Sequence, residues 1–131
     1  MTNDDLYNRG MIVRRAVLGD EYVDAALANA TEFSTEMQDL VTQYCWGEIW
    51  TRPGLERSQR SLINLAMITV LNRPHELAAH VRGALNNGLT RDQIKEVFLQ
   101  TAIYCGVPAA IDSFRTANEV FSKIDSGAED A

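Results

Sequence analysis

The chain has 131 residues, 46% of them hydrophobic, and its 12 basic against 18 acidic side chains leave a formal net charge of −6 at pH 7. That length supports one hydrophobic core, burying about two-thirds of the unfolded surface without disulfides or metal, and the apolar content excludes a disordered chain. The negative balance argues against sequence-independent nucleic-acid binding, which needs clustered cations.

Helical spacing runs through the whole chain, with no persuasive period-2 pattern. The opening MTNDDLYNRG has no apolar run of the kind a secretory leader needs. Instead Asn3, Asp4 and Asp5 place a polar cap and negative charge at a first helix that ends near Gly19. Asp20 is positioned to cap a second helix through Ala30. Ser34 or Thr35 opens a third, running to about Trp50, where Arg52-Pro53-Gly54 forces a turn. A fourth spans roughly Arg57 to Leu71. Pro74 sits in the first turn of a fifth, which stops at Asn86-Asn87-Gly88. Thr90 and Gln93 form a capping box for a sixth, closed by Gly106. Pro108 starts a seventh ending near Lys123, and residues 124–131 read as a frayed tail. With no repeat or linker, residues 1–131 are expected to form one all-α domain, a bundle of six to seven helices.

Two of these helices are informative. On the fourth, Leu62, Ile63, Leu65, Ala66, Met67, Ile68, Val70 and Leu71 point in nearly every direction. This longest apolar segment is interrupted by Asn64 and Thr69 and falls short of the roughly 18 residues of a membrane span. A helix that is apolar all round must be covered all round. Burial at a subunit interface is expected, the alternative being a central helix in a monomeric bundle. Asn64 reads as a satisfied core amide. On the fifth, RPHELAAHVRGALNNG, an apolar face of Leu77, Val81, Ala84 and Leu85 is flanked by Glu76, His80, Gly83 and Asn87, with Arg73 near them and His75 and Arg82 on the other side. Glu76 and His80 are i, i+4 neighbours, so the carboxylate can orient or charge the imidazole. Gly83 leaves space for a ligand. His80 is then either a proton-transfer group or a partly buried histidine held by Glu76.

Other constellations are weaker. A catalytic zinc takes three protein ligands, whereas this chain has two histidines on opposite faces, so no metal site is expected. Cys45 and Cys105 form no CxxC and read as small core hydrophobes in a reducing, cytoplasmic setting. The segment from Tyr44 to Gly54, with Trp46, Glu48, Trp50 and Arg52, suits either the wall of a pocket for a planar ligand or the anchor of a helix end. Arg14-Arg15 and the run Arg52, Arg57, Arg60 read as solvated helix faces, one of which can instead clamp a substrate carboxylate through two parallel bonds.

The phrases TRPGL, RS-x-INLAM-x-TVLNRPHEL-x-x-H-x-RGALNNG and IKEVFLQTAIYCGVPAA-x-DSFR-x-A, with RRAVLGDEYVDAAL and YCWGEIW upstream, resemble the carboxymuconolactone decarboxylase family from about Arg14 to Ala117. The resemblance implies an alkylhydroperoxidase-like all-α fold and a ring-shaped homo-oligomer, typically a hexamer. It implies a cofactor-independent carboxy-lyase that converts 4-carboxymuconolactone to β-ketoadipate enol-lactone in the protocatechuate branch of the β-ketoadipate pathway of aromatic catabolism. Peroxide-reducing members of the wider superfamily carry CxxCxxxH. Counting back from His80, the cysteine positions hold Arg73 and Glu76, and the superfamily's glutamate falls on Ser61, which rules out dithiol peroxide reduction. In the implied reaction the lactone carbonyl takes up the electron pair, so neither cofactor nor metal is called for. The site must hold a dianion, stabilise a dienolate oxygen and protonate a carbon. On this resemblance Arg73 pairs with a substrate carboxylate, His80 is the acid, held by Glu76, Glu48 is a second proton-transfer candidate, and Trp46 forms an apolar wall. Two rival readings are a related lactone isomerase or decarboxylase on the same scaffold, and a non-enzymatic oligomeric helical binding module.

Overall fold

The computed structural model describes residues 2–127; the expected fraying of the tail falls largely on residues 128–131, outside the described residues. The fold is all-α: α1 (Asn3–Leu18), α2 (Asp20–Ala28), α3 (Thr35–Leu40), a π-helix (Val41–Ile49), α4 (Arg57–Leu71), α5 (Pro74–Asn86), α6 (Arg91–Cys105) and α7 (Val107–Asp125), with no strand among the described residues. None of these helices is long and apolar enough to cross a membrane. The helices gather into two compact units that divide at Glu56–Arg57.

In the first unit, α1 is capped one residue earlier than expected. The Thr2 hydroxyl accepts from the Asp5 amide (3.1 Å) while the Asp5 carboxylate takes the Thr2 N–H (3.1 Å), a reciprocal box that satisfies two orphan donors. Gly19 ends the helix at φ +92°, a conformation only glycine adopts cheaply. Asp20 is therefore no cap. It sits inside the first turn of α2, where Arg15 bridges it (3.1 Å) and Asp24 (2.8 Å), exposed contacts that solvent and salt largely screen. The inward stripe of α1 is Leu6, Gly10, Val13, Arg14 and Val17, at helical i, i+3, i+4 spacing. Arg14, expected to be solvated, is 5% exposed.

The expected third helix is α3 continued by nine residues of π-helix, whose i→i+5 hydrogen bonds loosen each turn by one residue. This shift of register turns Thr42, Trp46 and Gly47 inward and leaves Cys45 exposed, so that cysteine is not a core residue. Cys105, the last residue of α6, is exposed as well, because the helix ends there at an open corner. The π-helix crosses α1 in backbone contact. A Cβ on Gly10 would overlap the Thr42 carbonyl oxygen, and one on Gly47 would overlap the Leu6 carbonyl oxygen. Beside this crossing the buried rings of Trp46 and Trp50 stack with centroids 4.8 Å apart.

In the second unit, α4 to α7 enclose a core around Leu65, Val81, Ile94, Phe98 and Val120, and Phe98 meets Phe114 edge to face at 5.4 Å. The Thr90–Gln93 capping box opens α6 as the sequence indicates. Arg91 grips Asp125 through both oxygens (2.7 and 3.0 Å) and lies 4.5 Å over the Phe121 ring, tying the start of α6 to the end of α7. The all-round burial expected of α4 is not met within the chain. Only Ser61, Leu65 and Thr69 are buried, because one face alone meets α5, α6 and α7. Ile63, Met67, Val70 and Leu71 stay exposed, and Asn64 is half-buried rather than a core amide.

Glycine inside an open helix costs about 1 kcal/mol relative to alanine. At Gly10 and Gly47 the sign reverses: alanine at either position is expected to lower the unfolding free energy by at least about 2 kcal/mol. A drop in the urea midpoint at unchanged m value is the readout.

Candidate active site

The candidate residues of the second unit are placed by the reversal between α4 and α5. Asn72 occupies the left-handed region (φ +56°), where a short amide side chain is the best tolerated after glycine. Its N–H donates to the Thr69 carbonyl (3.1 Å) and the Arg73 N–H to the Ile68 carbonyl (3.3 Å). This is the Schellman pattern, which consumes carbonyls that α4 would otherwise leave open. Arg73 becomes the N-cap residue of α5, its carbonyl accepting from the Leu77 N–H (2.9 Å), and Pro74 follows at N1, where its missing N–H costs nothing.

Arg73 is exposed at the mouth of a small cleft between α4, α5 and α7, whose lining includes Thr69, Asn72, Asp112 and Ser113. About 10 Å³ is open, room for one water molecule and no more. Its floor carries a chain of buried hydroxyls: Ser113 Oγ donates to Thr69 Oγ1 (2.8 Å), which donates to the Leu65 carbonyl (2.7 Å). Sequence reasoning misses both hydroxyls, since in the linear pattern Thr69 is only a break in an apolar run. The available signal is the i, i+4 spacing of Ser61, Leu65 and Thr69 on one helix face.

Along α5, Leu77, Val81 and Ala84 point into the core as expected. Gly83 is also buried, so it serves packing rather than leaving open space beside His80. Glu76 is exposed in the first turn, where a carboxylate also suits the positive end of the helix. His80, one turn later, is half-buried with Nδ1 shielded from solvent. Burial pushes its pKa down from 6.5 to about 4, and the nearby charge of Glu76 opposes that only in part. The imidazole is therefore neutral at pH 7, and an added negative charge beside it would favour its protonated form. At the far end of the row Asn87 donates to the hydroxyl of buried Ser61 (2.8 Å), so Ser61 is committed to joining α4 and α5.

The structure thus brings Arg73 onto the cleft and Glu76 beside His80. In the first unit Glu48 is exposed on the π-helix, while Trp46 is enclosed at 3% exposure against Trp50. Among the described residues, no three His, Cys, Asp or Glu side chains converge as metal ligands.

Residues 35–119 match the sequence profile of the carboxymuconolactone decarboxylase family. The chain is 45% identical over 130 residues to a nitrosuccinic acid decarboxylase of Metarhizium robertsii, spanning 93% of this chain and 91% of that one. It is 39% identical over 124 residues to a 4-carboxymuconolactone decarboxylase of Acinetobacter baylyi, spanning 95% and 92%. A 4-carboxymuconolactone decarboxylase sequence of Pseudomonas putida matches along its whole length at 42% over 48 residues. With the profile spanning more than half of the chain and two relatives aligned almost end to end, the chain belongs to the carboxymuconolactone decarboxylase family.

Proposed function

We propose that this chain is a cofactor-independent carboxy-lyase of the cytoplasm that converts 4-carboxymuconolactone to β-ketoadipate enol-lactone in the protocatechuate branch of aromatic catabolism. The observation that carries the reading is the near-full-length likeness to a decarboxylase of that substrate. In the reaction the bond from the ring γ-carbon to its carboxylate breaks and carbon dioxide leaves. The electron pair moves through the ring C=C bond into the lactone carbonyl, giving a dienolate, and a proton then adds to the carbon alpha to that carbonyl. The enzyme has to supply a cation, shelter and one proton.

Arg73 is assigned to the substrate carboxylate, a planar two-point contact that lysine reproduces poorly. His80 is assigned as the proton donor. Its low resting pKa makes it neutral in the free protein, and a dianionic substrate beside it favours protonation, so the acid is charged when the substrate is present. Glu76 supports the imidazolium. Glu48 is the second proton-transfer candidate and Trp46 the apolar wall, each a role for its own variant to test. A homo-oligomer, a hexamer on the family resemblance, is assigned because Ile63, Met67 and Leu71 on α4 and Ile103 and Tyr104 on α6 are left in water. A patch of this kind marks a surface made to be covered.

A second reading has its own support, the 45% identity to the nitrosuccinic acid decarboxylase. Nitrosuccinic acid is also a dicarboxylate that carries its own electron sink, the nitro group, so the same arginine and histidine would serve. Carbon dioxide release measured with each acid decides between them. A kcat/KM at least about tenfold higher on nitrosuccinate replaces the first reading with the second, and release from neither overturns both.

With 4-carboxymuconolactone as substrate, His80→Asn and Glu48→Gln are each to be assayed with folding checked by circular dichroism. Loss of a necessary acid is expected to lower kcat by about 10²- to 10⁴-fold; near-wild-type turnover in both removes the proton assignments. Arg73→Lys is expected to raise KM or lower kcat, and an unchanged enzyme removes Arg73 from the site. Because His80 is held neutral with its pKa below the ordinary value, its contribution to stability is fully present above pH 6.5 and is lost as the pH falls toward 4. The thermal midpoint is expected to drop across that window more steeply in the wild type than in His80→Asn. For the assembly, Met67→Glu is expected to shift the mass measured by light scattering from an oligomer toward the single chain.

A further inference from the structure

Among the described residues, Arg14 is the only charged side chain that is buried. Buried charges are normally matched by an opposite charge, since an unmatched one loses its hydration for nothing. Arg15 and Arg91 have such partners in Asp20, Asp24 and Asp125. Arg14 has none: its Nη1 donates to Thr42 Oγ1 (3.1 Å) and its Nη2 to Gln38 Oε1 (2.9 Å), both neutral oxygens. The other titratable groups near it are two phenols, Tyr7 and Tyr22, and the Cys45 thiol, all uncharged at neutral pH, and the like charge of Arg15. No carboxylate is among them.

The edge of the guanidinium matters more than the count. Nε and Nη2 lie on the same side of the planar group, the side that grips a carboxylate with two parallel bonds. On that edge Nε is buried without a hydrogen-bond partner, and Nη2 is held by a single amide oxygen. The Nη2–Gln38 contact is only part-buried, and Gln38 is half-buried near the end of α3, so this end of the edge is the one nearer solvent. The inner side is closed. The Thr42 hydroxyl gives its own proton to the Gln38 carbonyl (2.8 Å), which leaves a lone pair fixed toward Arg14. The backbone contacts at Gly10 and Gly47 hold α1 and the π-helix together around it.

We propose that the Nε–Nη2 edge of Arg14 is a binding site for the carboxylate of a small organic acid, with the Gln38 amide as a neutral occupant that swings aside when the anion arrives. The ligand supplies the missing negative charge, and its second oxygen takes the Nε proton that Gln38 leaves unused. Among the arginines read from sequence as solvated, this one has the surroundings of an anion clamp. The site stands whether or not the decarboxylation assigned above is correct, and no step of that reaction passes through it.

The test uses the full chain and succinate as the probe, with sodium chloride at matched ionic strength as the control. The chain's two tryptophans, Trp46 on the π-helix and Trp50 just after it, report on this unit by fluorescence. A saturable change with succinate and a rise in the thermal midpoint of about 10 °C near a hundredfold excess over Kd are expected. Gln38→Glu places a fixed carboxylate on the same edge. It is expected to raise the midpoint without ligand and to weaken succinate binding by at least about tenfold. Arg14→Met is expected to fold and to lose the response; if it does not fold, Gln38→Glu alone decides. No saturable response beyond the chloride control, or an unchanged affinity in Gln38→Glu, overturns the proposal. Decarboxylase activity does not enter either outcome.

Discussion

The reversal at Asn72 is the constraint on which the candidate site rests. A helix end has four carbonyls without partners, and here the left-handed residue folds the chain back so that two following amides consume two of them. The same few dihedral angles set the direction of α5, and with it the position of Arg73 at the cleft and of Glu76 and His80 one turn apart. Nothing in the side chains of α5 alone would place them. The site is specified by the end of the preceding helix, and the energy that holds it there is ordinary backbone hydrogen bonding.

What the sequence made legible were features written in local chemistry. The bounds of α4, α5 and α6, the Thr90–Gln93 box and the proline at the head of α5 all follow from residues that act within a turn of themselves. What it hid depends on partners far along the chain or on backbone geometry that carries no residue signature. The π-helix is one case: VTQYCWGEI has nothing that sets it apart from an α-helix, and the widened turns move Cys45 out of the core that its chemistry suits. The cap at Thr2 in place of Asn3 is a shift of one residue, within the usual uncertainty of helix ends. Arg14 is another case. Its charge reads as surface, and only the crossing of α1 with the π-helix buries it. The hydroxyls of Thr69 and Ser113 belong to helices 44 positions apart, so no local pattern could pair them. The role expected of each candidate residue rests on family likeness alone, because a lone histidine and a lone arginine carry no mechanism by spacing.

The chemistry assigned to this fold asks little of the protein. Both substrates that its relatives' names suggest carry an electron sink beside the carboxylate that leaves, a lactone carbonyl or a nitro group. A scaffold that supplied a cation and a proton would then suffice for either. The neutral state of His80 fits this economy. A permanently charged imidazolium in a half-buried place would need a standing counter-charge, whereas one that charges only next to a dianion needs none until the substrate brings it.

The bare crossing of α1 and the π-helix has a consequence for how this chain can drift over generations. With carbonyl oxygens sitting where side chains would begin, Gly10 and Gly47 have no neighbouring substitution that relieves them, since the obstacle is main chain on both sides. Any descendant that gains a methyl group at either position must part the two helices and unseat the paired indole rings with them. Identity at these two glycines would therefore record an architectural lock, and would persist even in a lineage that had exchanged one acid for another.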